Sequence, residues 1–265
     1  MTEKDALALI FSALALAVAV YGIFERRHAT YAALRVRITE LLDEVQALNV
    51  SEGQYTFDHV SADWDAQRSV GGSFAGRRAL LTYQALALLR RLRSARRLSL
   101  GRPYRLTPEE HGALAQSLES LRDYPTACAQ WEDAVAASRQ ATQFVQATMS
   151  NGYAQCLFRM GRTDAARSAY RSAIATYSDD DAGRWDRFCT YIDWLELERG
   201  IRNGHTSEPL SGAQELAQAP SYWQASAQRV LRDIDSGSDP HQPGLRAGPR
   251  ATASRESAAL PDGGT

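Results

Sequence analysis

The sequence predicts an all-α protein in which an N-terminal transmembrane helix precedes a solenoid of helical hairpins. Three observations predict it. Ala6 to Phe24 is an uncharged apolar run, apolar residues after it recur at steps of three and four, and from residue 107 the chain repeats itself at an offset of 39 residues. The composition agrees, since 265 residues with 44% apolar and 23% charged content can bury a core and exclude wholesale disorder. A net charge of -1 gives no overall pull toward nucleic acid. Lys4 is the only lysine among the 30 basic residues, so the arginine content looks more like a compositional bias than a designed phosphate reader, and each arginine cluster counts for less.

The first element is ALALIFSALALAVAVYGIF, which as a helix spans about 28 Å against a hydrocarbon core of about 30 Å. Glu25, Arg26, Arg27 and His28 stop it in water, while Glu3, Lys4 and Asp5 leave no basic excess before it. The positive-inside bias then places a short N-terminus outside and the C-terminal bulk in the cytoplasm of an inner membrane. Ala17-Val18-Ala19 also satisfies a signal-peptide cleavage pattern, but the start is not basic and the apolar run continues past that site. No polar face exists on the run, which argues against a lone core helix.

Tyr31, Leu34, Ile38, Leu41, Leu42, Val45 and Leu48 form one helical stripe, so the anchor continues as a stalk that offers a route to a homo-oligomer. Residues 51–76, with Gly53, Gly71, Gly72 and Gly76, read as a loop. In the next helix Leu81, Ala85, Leu88, Leu92 and Ala95 fall on one side, and Arg90, Arg93 and Arg97 fall roughly opposite. Two readings follow: a core-packed helix with a solvated arginine face, which the arginine bias favours, or a contact with anionic lipid made together with Arg26 and Arg27.

Thr107, Pro108, Glu109 and Glu110 carry the signals of a helix start. From there Leu114, Ala115, Tyr124, Ala127, Trp131 and Ala134 return as Tyr153, Ala154, Thr163, Ala166, Tyr170 and Ala173. Small residues let the helices of a hairpin approach, and the aromatic fills the space between neighbours. The pattern resembles the tetratricopeptide repeat (TPR) family, with Ala154, Gly161, Ala166, Tyr170 and Ala173 at that signature's small, turn, small, aromatic and small positions. The offset exceeds the usual period of about 34, and His111, Ser150 and Ser178 depart from the family's Trp and Pro. A ragged third unit, Trp185 to Gly200, Leu210 to Ala219 and Tyr222 to Ile234, reads as the cap that solenoids need. The whole layout also looks like a group of single-pass bacterial repeat proteins, a likeness that carries no activity with it.

These elements divide the chain into an anchor with its basic stop (1–28), a stalk (29–50), a loop (51–76), a basic helix with a linker (77–106), TPR-like repeats (107–235) and a disordered tail (236–265). GGSFAGRR at 71–78 has phosphate-loop glycines, yet Arg77 and Arg78 stand where GK[ST] is needed. The histidines form no HxxxH pair, and Asp58, His59, Asp63 and Asp65 read as a solvated turn. Cys128, Cys156 and Cys189 have neither a disulfide framework nor a zinc spacing, so they are expected to be reduced and buried.

No catalytic set, metal site or cofactor is therefore expected, and the chain reads as an adaptor or scaffold for proteins. The TPR resemblance implies that the first helix of each hairpin lines a groove. Asn151, Gln155 and Arg159 stand there at steps of four, with Gln116 and Glu119 in the preceding unit, a ladder suited to a peptide backbone or carboxylate. A plain hydrated helix face is the competing reading. Alternatives for the whole chain are a self-assembling structural protein of the inner membrane, or a membrane-acting effector that uses the basic helix.

Overall fold

The structure is a computed structural model. It describes the backbone of residues 3–58, 64–96, 105–202 and 204–236, and the side chains of these residues other than 3–13, 56–58, 64–72 and 94–96. Among the described residues there are nine helices and no strand: α1 Glu3–Asp58, α2 Trp64–Arg96, α3 Pro108–Ser120, α4 Tyr124–Ser138, α5 Gln143–Arg159, α6 Thr163–Thr176, α7 Asp181–Ile201, α8 Ser207–Gln218 and α9 Gln224–Asp235. The chain forms two compact units, one ending at Ser178 and the other starting at Asp179.

In the first unit α1 and α2 form an antiparallel hairpin. Ile38, Leu41, Leu42, Val45 and Leu48 of α1 are buried, as are Leu81, Ala85, Leu86, Leu89 and Leu92 of α2. At its far end Arg78 pairs with Glu52, and the rings of Tyr55 and Phe74 lie 6.4 Å apart. The loop expected over 51–76 is corrected: α1 runs on to Asp58 and α2 begins at Trp64. Glycines in a helix cost about 1 kcal/mol each, a local penalty that the ion pair, the ring contact and the shared core offset. Gly71 to Arg78 thus lie inside α2, where the backbone N–H groups are committed to the helix rather than cradling a phosphate.

The next four helices are two hairpins, α3–α4 and α5–α6, packed side by side through α4 and α5. Their turns repeat at the sequence offset. Arg122 N–H donates to Glu119 O and Asp123 N–H to Leu118 O, and 39 residues on, Gly161 N–H donates to Phe158 O and Arg162 N–H to Leu157 O. Arg122 (φ 60°) and Gly161 (φ 74°) are both left-handed. Glycine takes that conformation without strain and arginine does not. Arg122→Gly is expected to raise the unfolding free energy by about 1 kcal/mol and Gly161→Ala to lower it by a similar amount, read from urea denaturation.

Ala127, Trp131 and Ala134 on α4, and Ala166, Tyr170 and Ala173 on α6, are all buried. Helix α3 starts with a capping box: Thr107 Oγ1 accepts from Glu110 N–H at 3.2 Å, and Glu110 Oε2 accepts from Thr107 N–H at 2.8 Å. The same carboxylate is held by Arg35 of α1, and its other oxygen accepts from Thr39 Oγ1 at 3.0 Å. Helix α1 is thereby fastened to the first repeat.

Cys128 and Cys156 are buried free thiols, and Cys189 is half-buried. Burial pushes Cys156 up to about 12, with Cys128 acting in the same direction. Neither buried sulfur is a thiolate nucleophile at neutral pH.

The second unit has its own core of Phe188, Ile192, Leu195, Ala213, Ala217, Trp223, Ala227 and Ile234. Asp180 caps α7 by accepting from Gly183 N–H at 2.7 Å, as the Asp179–Asp181 run suggests. The Trp185 ring lies 5.5 Å from Phe188 and 5.3 Å from Trp223. Glu198, fully buried, accepts from Trp194 Nε1 at 3.0 Å.

No helix is long and apolar enough to cross a membrane among the described residues. Of the run Ala6 to Phe24, side chains are described only from Leu14 onward. The tail from residue 237 lies outside the described residues.

Candidate groove and basic face

All five residues of the expected ladder line one groove of about 730 Å3: Gln116 and Glu119 from α3, and Asn151, Gln155 and Arg159 from α5. The two helices run alongside each other. Their spacing is set by Trp131 of α4, whose indole fills the space beneath Gly112 of α3 and Gly152 of α5. A Cβ at Gly112 would meet Trp131 Cζ3 at 3.3 Å, and one at Gly152 would meet Cζ2 and Cζ3 at 2.6 Å. Glycine is therefore required at 152 for the groove to have this width.

Glu119 locks the floor. Its Oε1 accepts from Trp131 Nε1 at 2.6 Å, and its Oε2 pairs with Arg159. This alters the role expected of Arg159. The guanidinium is held by Glu119 across the groove, so it is a strut between the two hairpins and not an open receptor for a partner's carboxylate.

The third wall of the groove is α1, which no expectation from the sequence includes. Thr39, Leu42, Asp43 and Gln46 line the same groove. Their spacing of three and four is visible in the sequence, but nothing local says that the stalk folds back onto α3. With them the lining holds four carboxylates, Asp43, Glu109, Glu110 and Glu119, against the single guanidinium of Arg159. Glu110 and Glu119 already hold arginines, which leaves exposed Asp43 and Glu109 to set an acidic rim.

The basic residues follow a different logic. Arg26 and Arg27 are exposed on α1 just beyond the apolar run. Arg90 is exposed on α2, whose opposite side carries the buried leucines, and Arg93 pairs with Asp133 of α4. Arg97 lies outside the described residues, as do His59 and Asp63 of the acidic turn.

Beside this face His111, buried, shares a 3.1 Å hydrogen bond with Gln130. Burial holds its imidazole below the ordinary 6.5, against the opposing pull of Gln130, Asp133 and Glu110 and with a small assisting push from Arg93. The unfolded chain then binds the proton more readily than the folded one, so stability is full above pH 6.5 and declines as pH falls below it. His111→Asn should flatten that decline, as urea midpoints on either side of this pH would record.

The fold is that of an all-α protein built on successive helical hairpins. No family model matches the chain, and no curated protein or solved structure matches it either.

Proposed function

We propose that the chain is a membrane-anchored, TPR-like adaptor whose cytoplasmic groove holds a basic segment of a partner protein. The observation that carries the groove reading is the convergence of Gln116, Glu119, Asn151, Gln155 and Arg159 on one cleft whose charge balance is acidic. A peptide with arginine or lysine side chains complements Asp43 and Glu109, while the amides supply donors and acceptors for its backbone.

The anchor reading is supported by the exposure of α1. Leu14, Leu16, Val18, Val20, Tyr21, Ile23 and Phe24 are all at least 41% exposed, on every side of the helix. Apolar surface that no described element covers needs another apolar medium, and a bilayer supplies one around the whole circumference. The self-assembling alternative is disfavoured, because the stalk stripe Ile38 to Leu48 is already buried within the chain. The packing of α2 along its apolar side and the pairing of Arg93 with Asp133 favour the adaptor over a membrane-acting effector.

Fluorescence titration of the full chain with a basic and an acidic peptide tests the groove. The double variant Asp43→Asn/Glu109→Gln is expected to weaken the basic peptide by about tenfold at low salt, with less effect at high salt. Tighter binding of the acidic peptide, or indifference to Gln116→Ala/Gln155→Ala, would remove the groove from consideration. Alkaline extraction of native membranes tests the anchor: the chain should stay in the pellet, and release of the chain or a mature form starting at Val20 would refute it. Digestion of the bulk by protease added to intact cells would reverse the orientation.

A further inference from the structure

A second cavity, of about 660 Å3, is lined by arginines from three separate elements: Arg93 of α2, Arg105 of the connector before α3, and Arg139 at the C-cap of α4. Its one carboxylate, Asp133, is engaged by Arg93. Arg105 and Arg139, both exposed, are left as an excess of positive charge in its lining. Tyr31, Leu89 and Leu92 supply an apolar wall.

The position of this cavity along α1 gives it a meaning. Helix α1 is continuous, so Tyr31 lies about 10 Å beyond Phe24, where the apolar run ends. The headgroup layer extends about 5–7 Å past the hydrocarbon on each side, and an arginine side chain reaches across the remainder. We infer that this cavity binds the phosphate of an anionic phospholipid headgroup in the leaflet that α1 enters. The inference rests on the anchor reading above, and it assigns the membrane contact to residues that only the fold brings together.

The test is reconstitution of the full chain into phosphatidylcholine vesicles, with spin-labelled phosphatidylglycerol or spin-labelled phosphatidylcholine as the reporter of boundary lipid. The wild-type chain should select phosphatidylglycerol. The variant Arg105→Gln/Arg139→Gln should lose that selectivity by about fivefold for each arginine removed, and Arg105→Lys/Arg139→Lys should keep most of it. Added inorganic phosphate distinguishes the sources: a free-anion site would be saturated by it and show no lipid selectivity, which overturns the inference. Selectivity unchanged in the Gln variant, or abolished only by Arg26→Gln/Arg27→Gln, overturns it as well. Failure of the chain to enter neutral vesicles at all would instead strike the anchor and take this inference with it.

Discussion

Gly152→Ala is expected to lower the unfolding free energy by about 3 kcal/mol, the cost of overpacking a rigid core aromatic. The added Cβ would sit 2.6 Å from Cζ2 and Cζ3 of Trp131 and nearer still to Cη2. That ring is 3% exposed and fixed by its hydrogen bond to Glu119, so it cannot swing aside. Alanine gains about 1 kcal/mol of helix propensity over glycine, which is too little to reverse the sign. At Gly112 the balance differs, since the nearest atom is the flexible Met149 Sδ at 3.2 Å, followed by Trp131 Cζ3 at 3.3 Å. Gly112→Ala should therefore be close to neutral. Urea denaturation of both variants decides it, and equal losses at the two positions would show that Trp131 is not the spacer between the hairpins.

Glu110→Ala should cost about 2–4 kcal/mol, because a single carboxylate serves three groups. It closes the capping box on Thr107, holds Arg35 and accepts from Thr39. The Arg35 and Glu110 side chains are 19% and 14% exposed, so truncation strands a half-buried guanidinium as well as a helix start. Glu40→Ala is the control. Its partner Arg37 and Glu40 itself are about half exposed, and solvent screening leaves such surface pairs contributing little. Comparable losses for the two variants would mean that α1 is not fastened to the first repeat through Glu110. A drop for Glu110→Ala alone, together with increased proteolysis between α1 and α3, is the expected pattern.

Much of the architecture was legible because it is local. The Thr107-Pro108-Glu109-Glu110 start, the Asp180 cap and the turn at Gly161 are each written within a few residues of the backbone they organise, whereas the matching turn at Arg122 carries no such mark. The return of Trp131 as Tyr170 is legible because each is the buried aromatic of a hairpin's second helix, Trp131 between α3 and α5 and Tyr170 against Phe158 of its own hairpin. Residues 51–76 were misread because glycine content describes local preference only. The Glu52–Arg78 pair and the Tyr55–Phe74 contact that keep those stretches helical join residues whose proximity exists only after α1 and α2 have docked.

The candidate site divides in the same way. Steps of four on α5 placed Asn151, Gln155 and Arg159 on one face, and the sequence alone determined that ladder together with the apolar run and the hairpin repeat. It took the tertiary structure to turn Arg159 inward to Glu119, to bring α1 across as the third wall, and to gather Arg93, Arg105 and Arg139 around one cavity. Periodicity fixes which residues share a face of their own helix. Which charges meet across helices depends on how the helices pack, and that is decided by shape and burial over distances that no local pattern spans.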